Sequence, residues 1–479
     1  MPRLPIVFAL LTVVLSAPVV AAQVCQGNIT LRTQAEVDAF GCTEVTGILT
    51  IQDTDESISS LAGLESLAIV GGDFTLLGTE ALLSLQGLNA LRSVGGTLSI
   101  NSNQGIQNLQ GLNQLSEAGN LLILGNGQIT TVEGLGNLNS IGGFLSISGN
   151  ASLSNLLGFT SLLSVGGYLR IVENPELASL SGFNVLSSIG TQLLIERNAS
   201  LTDLSGLAEL RSVASIDVNG NEKLSSFRGL EKISTVGDLS IRSNPSLNSL
   251  TGLESLSSTS FSVFILDNEG LASLSGLEQL SSVGGSVWVR GNSKLTALTG
   301  LESLTSVGSG SVQIYENINL ENISALSNLA VVGGDLIVLD NPTLRSCCFG
   351  FGPLLTEGLV SGSIVIRDNA PGCNSIEEIL ASYTDAEDEA VPLIADLVEA
   401  YPNPTIGPVA LAYTLAAPAE VTLAVHDVLG RRVSTLVQAP RPTGTHEVNW
   451  TSTDLPAGVY VVRLDAGGEV HTQWFTLVR

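Results

Sequence analysis

GGFLSISGNASLSNLLGFTSLLSV, residues 142–165, holds the architecture of most of this chain in one unit. Apolar side chains fall at unit positions 4, 6, 12, 15, 18, 21 and 24, with Gly at 1, 2 and 17 and Asn at 9. The pattern recurs about fourteen times between residues 46 and 374, and five further copies, 71–94, 95–118, 166–189, 190–213 and 284–307, keep the 24-residue length. No single copy buries that many leucines alone, so the copies must stack, each covering the apolar face of the next. Positions 4 to 6, LSI at 98–100, LRI at 169–171, LLI at 193–195 and VWV at 287–289, alternate as a half-buried strand does. The expected fold is mainly β: a parallel β-helix, or leucine-rich solenoid, on the order of 65 Å long at about 4.8 Å per coil.

Asn at position 9 recurs from Asn103, Asn126 and Asn150 through Asn317, Asn341 and Asn369. An inward-turned amide at a sharp corner satisfies backbone groups of its own and the next coil, which no apolar residue does, so a structural ladder is expected rather than a site. Asn150, Asn198 and Asn322 open N-x-S/T triplets, but a buried ladder Asn is a poor glycan acceptor.

Residues 1–22 carry one basic residue, an apolar run and small residues at Val20 and Ala22, the pattern of a secretory signal peptide cleaved before Gln23. No later stretch is long and apolar enough for a transmembrane segment. The formal charge of −26 disfavours nucleic acid and anionic lipid as partners and keeps a rod with few charges per coil soluble. Five cysteines flank the repeats, Cys25 and Cys42 before them and Cys347, Cys348 and Cys373 at their end. In an exported chain this placement reads as disulfide caps over the exposed ends of the core. Cys25 with Cys42 is the expected structural disulfide; at the far end Cys373 has two candidate partners. No His precedes His426 and the spacing matches no zinc pattern, so neither a metal nor another cofactor is expected.

The cap cysteines and the unit GGxLxIxxNxxLxxLxGLxxLxSV together resemble the receptor L-domain family over about residues 24–374. That resemblance implies a right-handed helix of short parallel strands with a binding or adhesive role and no catalysis. Residues 375–399 then change character, from IEEILASY through the acidic TDAEDEA, and read as a capping helix and acidic linker. Strand-like runs VALAYTL, EVTLAVHDV, RRVSTLV, THEVNW, GVYVVRL and VHTQWFTLV, broken by LGR, PTG and PAG turns, predict an Ig-like β-sandwich over 400–479. This tail resembles the type A C-terminal sorting domain of bacterial type IX secretion. The resemblance is carried by Tyr401, Pro402, Asn403 and Pro404, by Asp427-Val428-Leu429-Gly430-Arg431, and by Leu455-Pro456-Ala457-Gly458-Val459-Tyr460. It implies recognition by the type IX secretion machinery, export across the outer membrane of a Gram-negative bacterium, and surface attachment or release.

Unit positions 5 and 7 should face outward from the parallel sheet and are free to specify a partner. In early coils they are mostly Ser, Thr, Gln and Leu; later they become Arg170, Glu196, Asp217, Arg242, Phe264, Trp288, Arg290 and Tyr315. Arg and large aromatics are anchor types in recognition surfaces, so Arg242, Phe264, Trp288, Arg290 and Tyr315 form the candidate patch for a protein or glycan ligand. A plain cross-strand ladder of aromatics covering one another is the structural alternative. Glu196 and Asp217 fall on adjacent strands at a separation compatible with glycoside hydrolysis. Arg170 and Arg242 flank them, however, which favours an ion-pair row. The expected role is non-catalytic binding or adhesion at the cell surface, against a carbohydrate-active β-helix enzyme or a structural spacer.

Overall fold

A computed structural model describes residues 23–388, 395–415, 418–428, 431–451, 455–466 and 469–478, so the signal peptide expected at 1–22 lies outside the described residues. The chain divides into two compact units, Met1–Leu380 and Ala381–Arg479.

The first unit is a parallel β-solenoid of about 14 turns. Equivalent residues pair from coil to coil, Leu145 with Leu169, Leu169 with Leu193 and Ile147 with Ile171. A second line of two-residue strands forms at unit positions 23 and 24, where Ser164 and Val165 pair with Ser188 and Ile189. The seven apolar positions of residues 142–165, Leu145, Ile147, Leu153, Leu156, Phe159, Leu162 and Val165, are all buried in one continuous core.

The asparagine ladder is present as a relay. Asn198 Oδ1 accepts from the backbone N–H of Asn174 at 3.1 Å and from its Nδ2 at 3.2 Å. Asn198 Nδ2 in turn donates to the carbonyls of Ile171 and Glu196. Asn103 through Asn341 are wholly buried, and Thr79 starts the relay by donating to Asn103. A positive φ in the residue just before the Asn makes the corner, at Arg197 with φ 53° or Gly220 with φ 66°.

Gly at position 17 has a packing cause. A Cβ on Gly182 would sit 1.9 Å from the Leu156 carbonyl oxygen of the preceding coil, and its φ is 124°. Ala325 replaces Gly at this position, in the 3-10 turn Ser324–Leu326, where the backbone is not left-handed.

Both ends of the solenoid are closed differently from a simple cap. Ile29–Leu31 already pairs with Leu49–Gln52, so the parallel sheet begins between the two N-terminal cysteines, ahead of the first repeat. The helix Gln34–Asp38, capped by Thr33, buries Val37 beside it, and Cys25 is bridged to Cys42. At the far end the helix Cys348–Thr356 buries Phe351 and Leu354, and Cys347 bridges Cys373, which resolves the choice left open by the sequence.

The segment 375–399 opens with a helix, as expected, and the helix extends into the acidic run. The helix Ile376–Asp388 takes in much of the acidic run and buries Ile379, and Ala395–Tyr401 is a strand paired antiparallel with Val409–Leu415. The second unit has one three-stranded antiparallel sheet, containing Ala395–Tyr401, Val409–Leu415 and Gly444–Trp450, and one four-stranded sheet. Val409–Leu415 alternates buried and half-buried residues, and its inward side chains share a core with Val421, Leu423 and Val425 of the other sheet. Burial pushes the Tyr413 phenol above its usual pKa.

Candidate functional site

Two regions gather chemistry-bearing side chains, one in each unit. On the solenoid, Leu239, Ile241, Val263, Ile265, Val287 and Val289 face the core, which turns the residues between them outward. Phe264 and Trp288 are cross-strand partners, with ring centroids 5.3 Å apart and planes at 85°. Arg290 and Tyr315 are also partners, and the guanidinium lies 5.6 Å from the ring centroid. Arg290 Nε donates to Glu316 at 2.8 Å, and that bond, with Asp267 nearby, raises its pKa further. Arg242 bonds to Asp217 at 2.7 Å.

The five patch residues thus occupy consecutive coils as a continuous outward row, but not as freely exposed side chains. Phe264, Trp288, Arg290 and Tyr315 are half-buried against one another, and Trp288 Nε1 is buried without a hydrogen-bond partner. Position 5 is not uniformly solvent-facing: Ser99, Ser146 and Ser240 are buried, because a short side chain sinks between longer neighbours. Position 7 departs once, at buried Val172.

Glu196 and Asp217 do not form an isolated carboxylate pair. Asp217 is held by Arg242, while Glu196 is approached by Arg197 at 3.6 Å and by the Asn219 amide at 3.4 Å. Arg197, not Arg170, supplies the cation next to Glu196.

A second ladder at unit position 3 escapes the sequence reading. Asp238 Oδ1 accepts from Ser262 N–H, Ser262 Oγ from Ser286 N–H, Ser286 Oγ from Ser311 N–H and Ser311 Oγ from Asp335 N–H. The signal was there in the recurrence of short acceptors, but their identity changes from coil to coil. Where the acceptor is lost, Phe144 and Tyr168 stack instead, 4.8 Å apart.

In the tail, the second and third sorting motifs become the walls of one open recess of about 350 Å³, lined by Val428, Arg431, Leu455, Pro456, Val459 and Tyr460 among others. Asp427 is tied to Arg431: its Oδ1 accepts from Arg431 N–H at 2.9 Å and its Oδ2 from Arg431 Nε at 2.7 Å. Leu429 and Gly430 lie outside the described residues. Tyr460 Oη donates to the Pro456 carbonyl at 2.8 Å. The first motif is tied to the last strand, where Asn403 Oδ1 accepts from Thr476 N–H and its Nδ2 donates to the Trp474 carbonyl. Tyr401 is exposed, and Pro402 and Pro404 follow cis peptide bonds.

Among the described residues no group of three or more His, Cys, Asp or Glu side chains converges as metal ligands, and no helix is long and apolar enough to cross a membrane. Residues 399–477 match the secretion system C-terminal sorting domain family. The match begins within the Ala395–Tyr401 strand and contains all three motifs. It supports secretion by a type IX-like pathway and attachment at the outer surface. No curated protein matches the chain.

Proposed function

We propose that the mature protein is a non-catalytic binding or adhesion solenoid, delivered to the outer surface of a Gram-negative bacterium and recognising a protein or glycan through the outward face of its later coils. The observation that carries this reading is the row Arg242, Phe264, Trp288, Arg290 and Tyr315, where aromatic and guanidinium groups are oriented by contacts with side chains on adjacent coils. Such pre-ordered anchors lose little conformational freedom when a partner covers them. The likeness of the repeat to receptor L-domains favours the same role. Engagement of Asp217 and Glu196 by Arg242, Arg197 and Asn219 favours binding over glycoside hydrolysis.

The test presents the secreted chain to a glycan array and to proteins of neighbouring cell surfaces, then repeats any positive binding with Trp288→Ala and with Ser99→Ala as an early-coil control. Trp288→Ala should weaken binding by about 2 kcal/mol or more while Ser99→Ala leaves it unchanged. Bound sugar that is turned over would replace this reading by the enzyme, and no binding at all by the spacer. A lower melting temperature with unchanged affinity for Trp288→Ala would leave the row as a stabilising ladder only.

A further inference from the structure

Next to the aromatic row the outward face has a dip. Position 5 reads Leu194, Asp217, Ser240, Phe264, Trp288 along successive strands, and Ser240 is the short, buried member between two larger side chains. An open recess of about 240 Å³ results, bounded by Gln192, Asp217, Asp238, Ser240, Arg242 and Phe264. One wall is the Phe264 ring, whose orientation is set by Trp288. The other is the Asp217–Arg242 pair, with side chains 18% and 42% exposed.

That pair is incompletely satisfied. Asp217 Oδ1 and Arg242 Nε are both buried without a hydrogen-bond partner, one an acceptor and the other a donor. Leaving such groups unpaired is unfavourable, so a ligand that completes them gains selectivity. A cation supplies only donors and leaves Arg242 Nε unpaired; an anion supplies only acceptors and leaves Asp217 Oδ1 unpaired. A hydroxyl does both. The carboxylates of Asp217 and Asp238, in a chain of charge −26, further disfavour an anionic ligand. An apolar ring wall facing a hydroxyl-matched polar wall suits a molecule with an apolar face and a hydroxylated edge.

We propose that this recess is a subsite for one neutral sugar ring, with the ring stacked on Phe264 and its hydroxyls bridging Asp217 and Arg242 as the half-exposed guanidinium swings aside. This deepens the binding role above and rests on it, narrowing the ligand from protein or glycan to a neutral glycan.

The test titrates the secreted chain with methyl glycosides of neutral hexoses and N-acetylhexosamines and with short neutral oligosaccharides, using saturation-transfer NMR and calorimetry. At least one should bind, and Ser240→Leu, which fills the dip, should lower its affinity about tenfold or more. Phe264→Leu, which keeps an apolar side chain but removes the ring, should do the same, and guards against a folding defect in Ser240→Leu. Asp217→Asn should weaken binding with the melting temperature maintained. Binding unaffected by Ser240→Leu and Phe264→Leu, or competition by an Arg-rich peptide or a methyl uronide as strong as by the neutral sugar, would overturn the assignment. If no sugar binds but a protein partner does, and Trp288→Ala weakens it, the subsite is refuted and the binding face stands. If nothing binds, both fail.

Discussion

Asn198 shows how one residue type holds the solenoid together. Its amide links two coils: it accepts from Asn174 and donates to Ile171 on the preceding coil and to Glu196 on its own, with nothing exposed. Replacing it with Ala leaves buried donors and carbonyls on two coils unpaired, at about 1–3 kcal/mol each. Asn198→Ala should therefore destabilise the unit by roughly 3 kcal/mol or more, read from the urea midpoint. Gly182→Ala is the backbone counterpart, because its Cβ would meet the Leu156 carbonyl and its φ is left-handed. It should cost about 2 kcal/mol or more, whereas Ala325→Gly, at the equivalent position in a 3-10 turn, should cost no more than about 1 kcal/mol. Both the Asn and the Gly were visible as fixed letters of the repeat. The position-3 ladder was not, because Asp, Asn and Ser serve the same acceptor role there and no single letter recurs.

At the scale of the element, a strand of four residues has two inward and two outward side chains, and only the inward pair is constrained by the core. Outward residues are consequently arranged by their cross-strand partners. Phe264 with Trp288 and Arg290 with Tyr315 are close because parallel pairing in register places unit positions 5 and 7 over themselves in the next coil. The ends of the element stack behave differently, since the last coil has no neighbour. Cys25 with Cys42 closes a separation of 17 residues and Cys347 with Cys373 one of 26. In the chain-entropy model each bridge contributes roughly 3–3.5 kcal/mol. Cys25→Ser should thus unfold the first coils at lower urea than the middle ones, seen as early loss of hydrogen-exchange protection around Ile29–Leu31 and Leu49–Gln52.

For the whole molecule, the two units have separate cores, and their sequences obey different periods, about 24 residues in one and two in the other. Removing the tail should leave the solenoid folded. Because Ala395–Tyr401 is a strand of the tail, the informative truncation ends after Asp388. Its product should keep its thermal transition but disappear from the cell surface and the medium; normal surface display would refute the export role of the tail. The recess between the sorting motifs allows a finer version. Val428 and Val459 line it and are 63% and 43% exposed, so Val428→Asp with Val459→Asp changes its surface without opening the core. Export should fall sharply in the double variant, while Ile406→Asp, 83% exposed and outside the recess lining, should be exported normally.

From sequence alone the solenoid, its core positions, the asparagine relay, the N-terminal cysteine pair and the sorting tail follow, because each depends on a spacing or a motif that repeats or stays contiguous. Burying seven side chains per turn at fixed intervals admits few solutions, and the chain states those intervals many times over. Tertiary structure decided what depends on neighbours distant in sequence. It extended the parallel sheet into residues 29–31 and paired Ala395–Tyr401, whose weak alternation after an acidic run shows little strand character until Val409–Leu415 supplies its hydrogen bonds. It chose Cys347 over Cys348 for Cys373, gathered two sorting motifs around one recess, and made a buried Ser240 the floor of another. Periodicity specifies which way a residue points; the size of the side chains on the adjacent coils specifies whether that direction ends in solvent, in a partner ring or in a pocket.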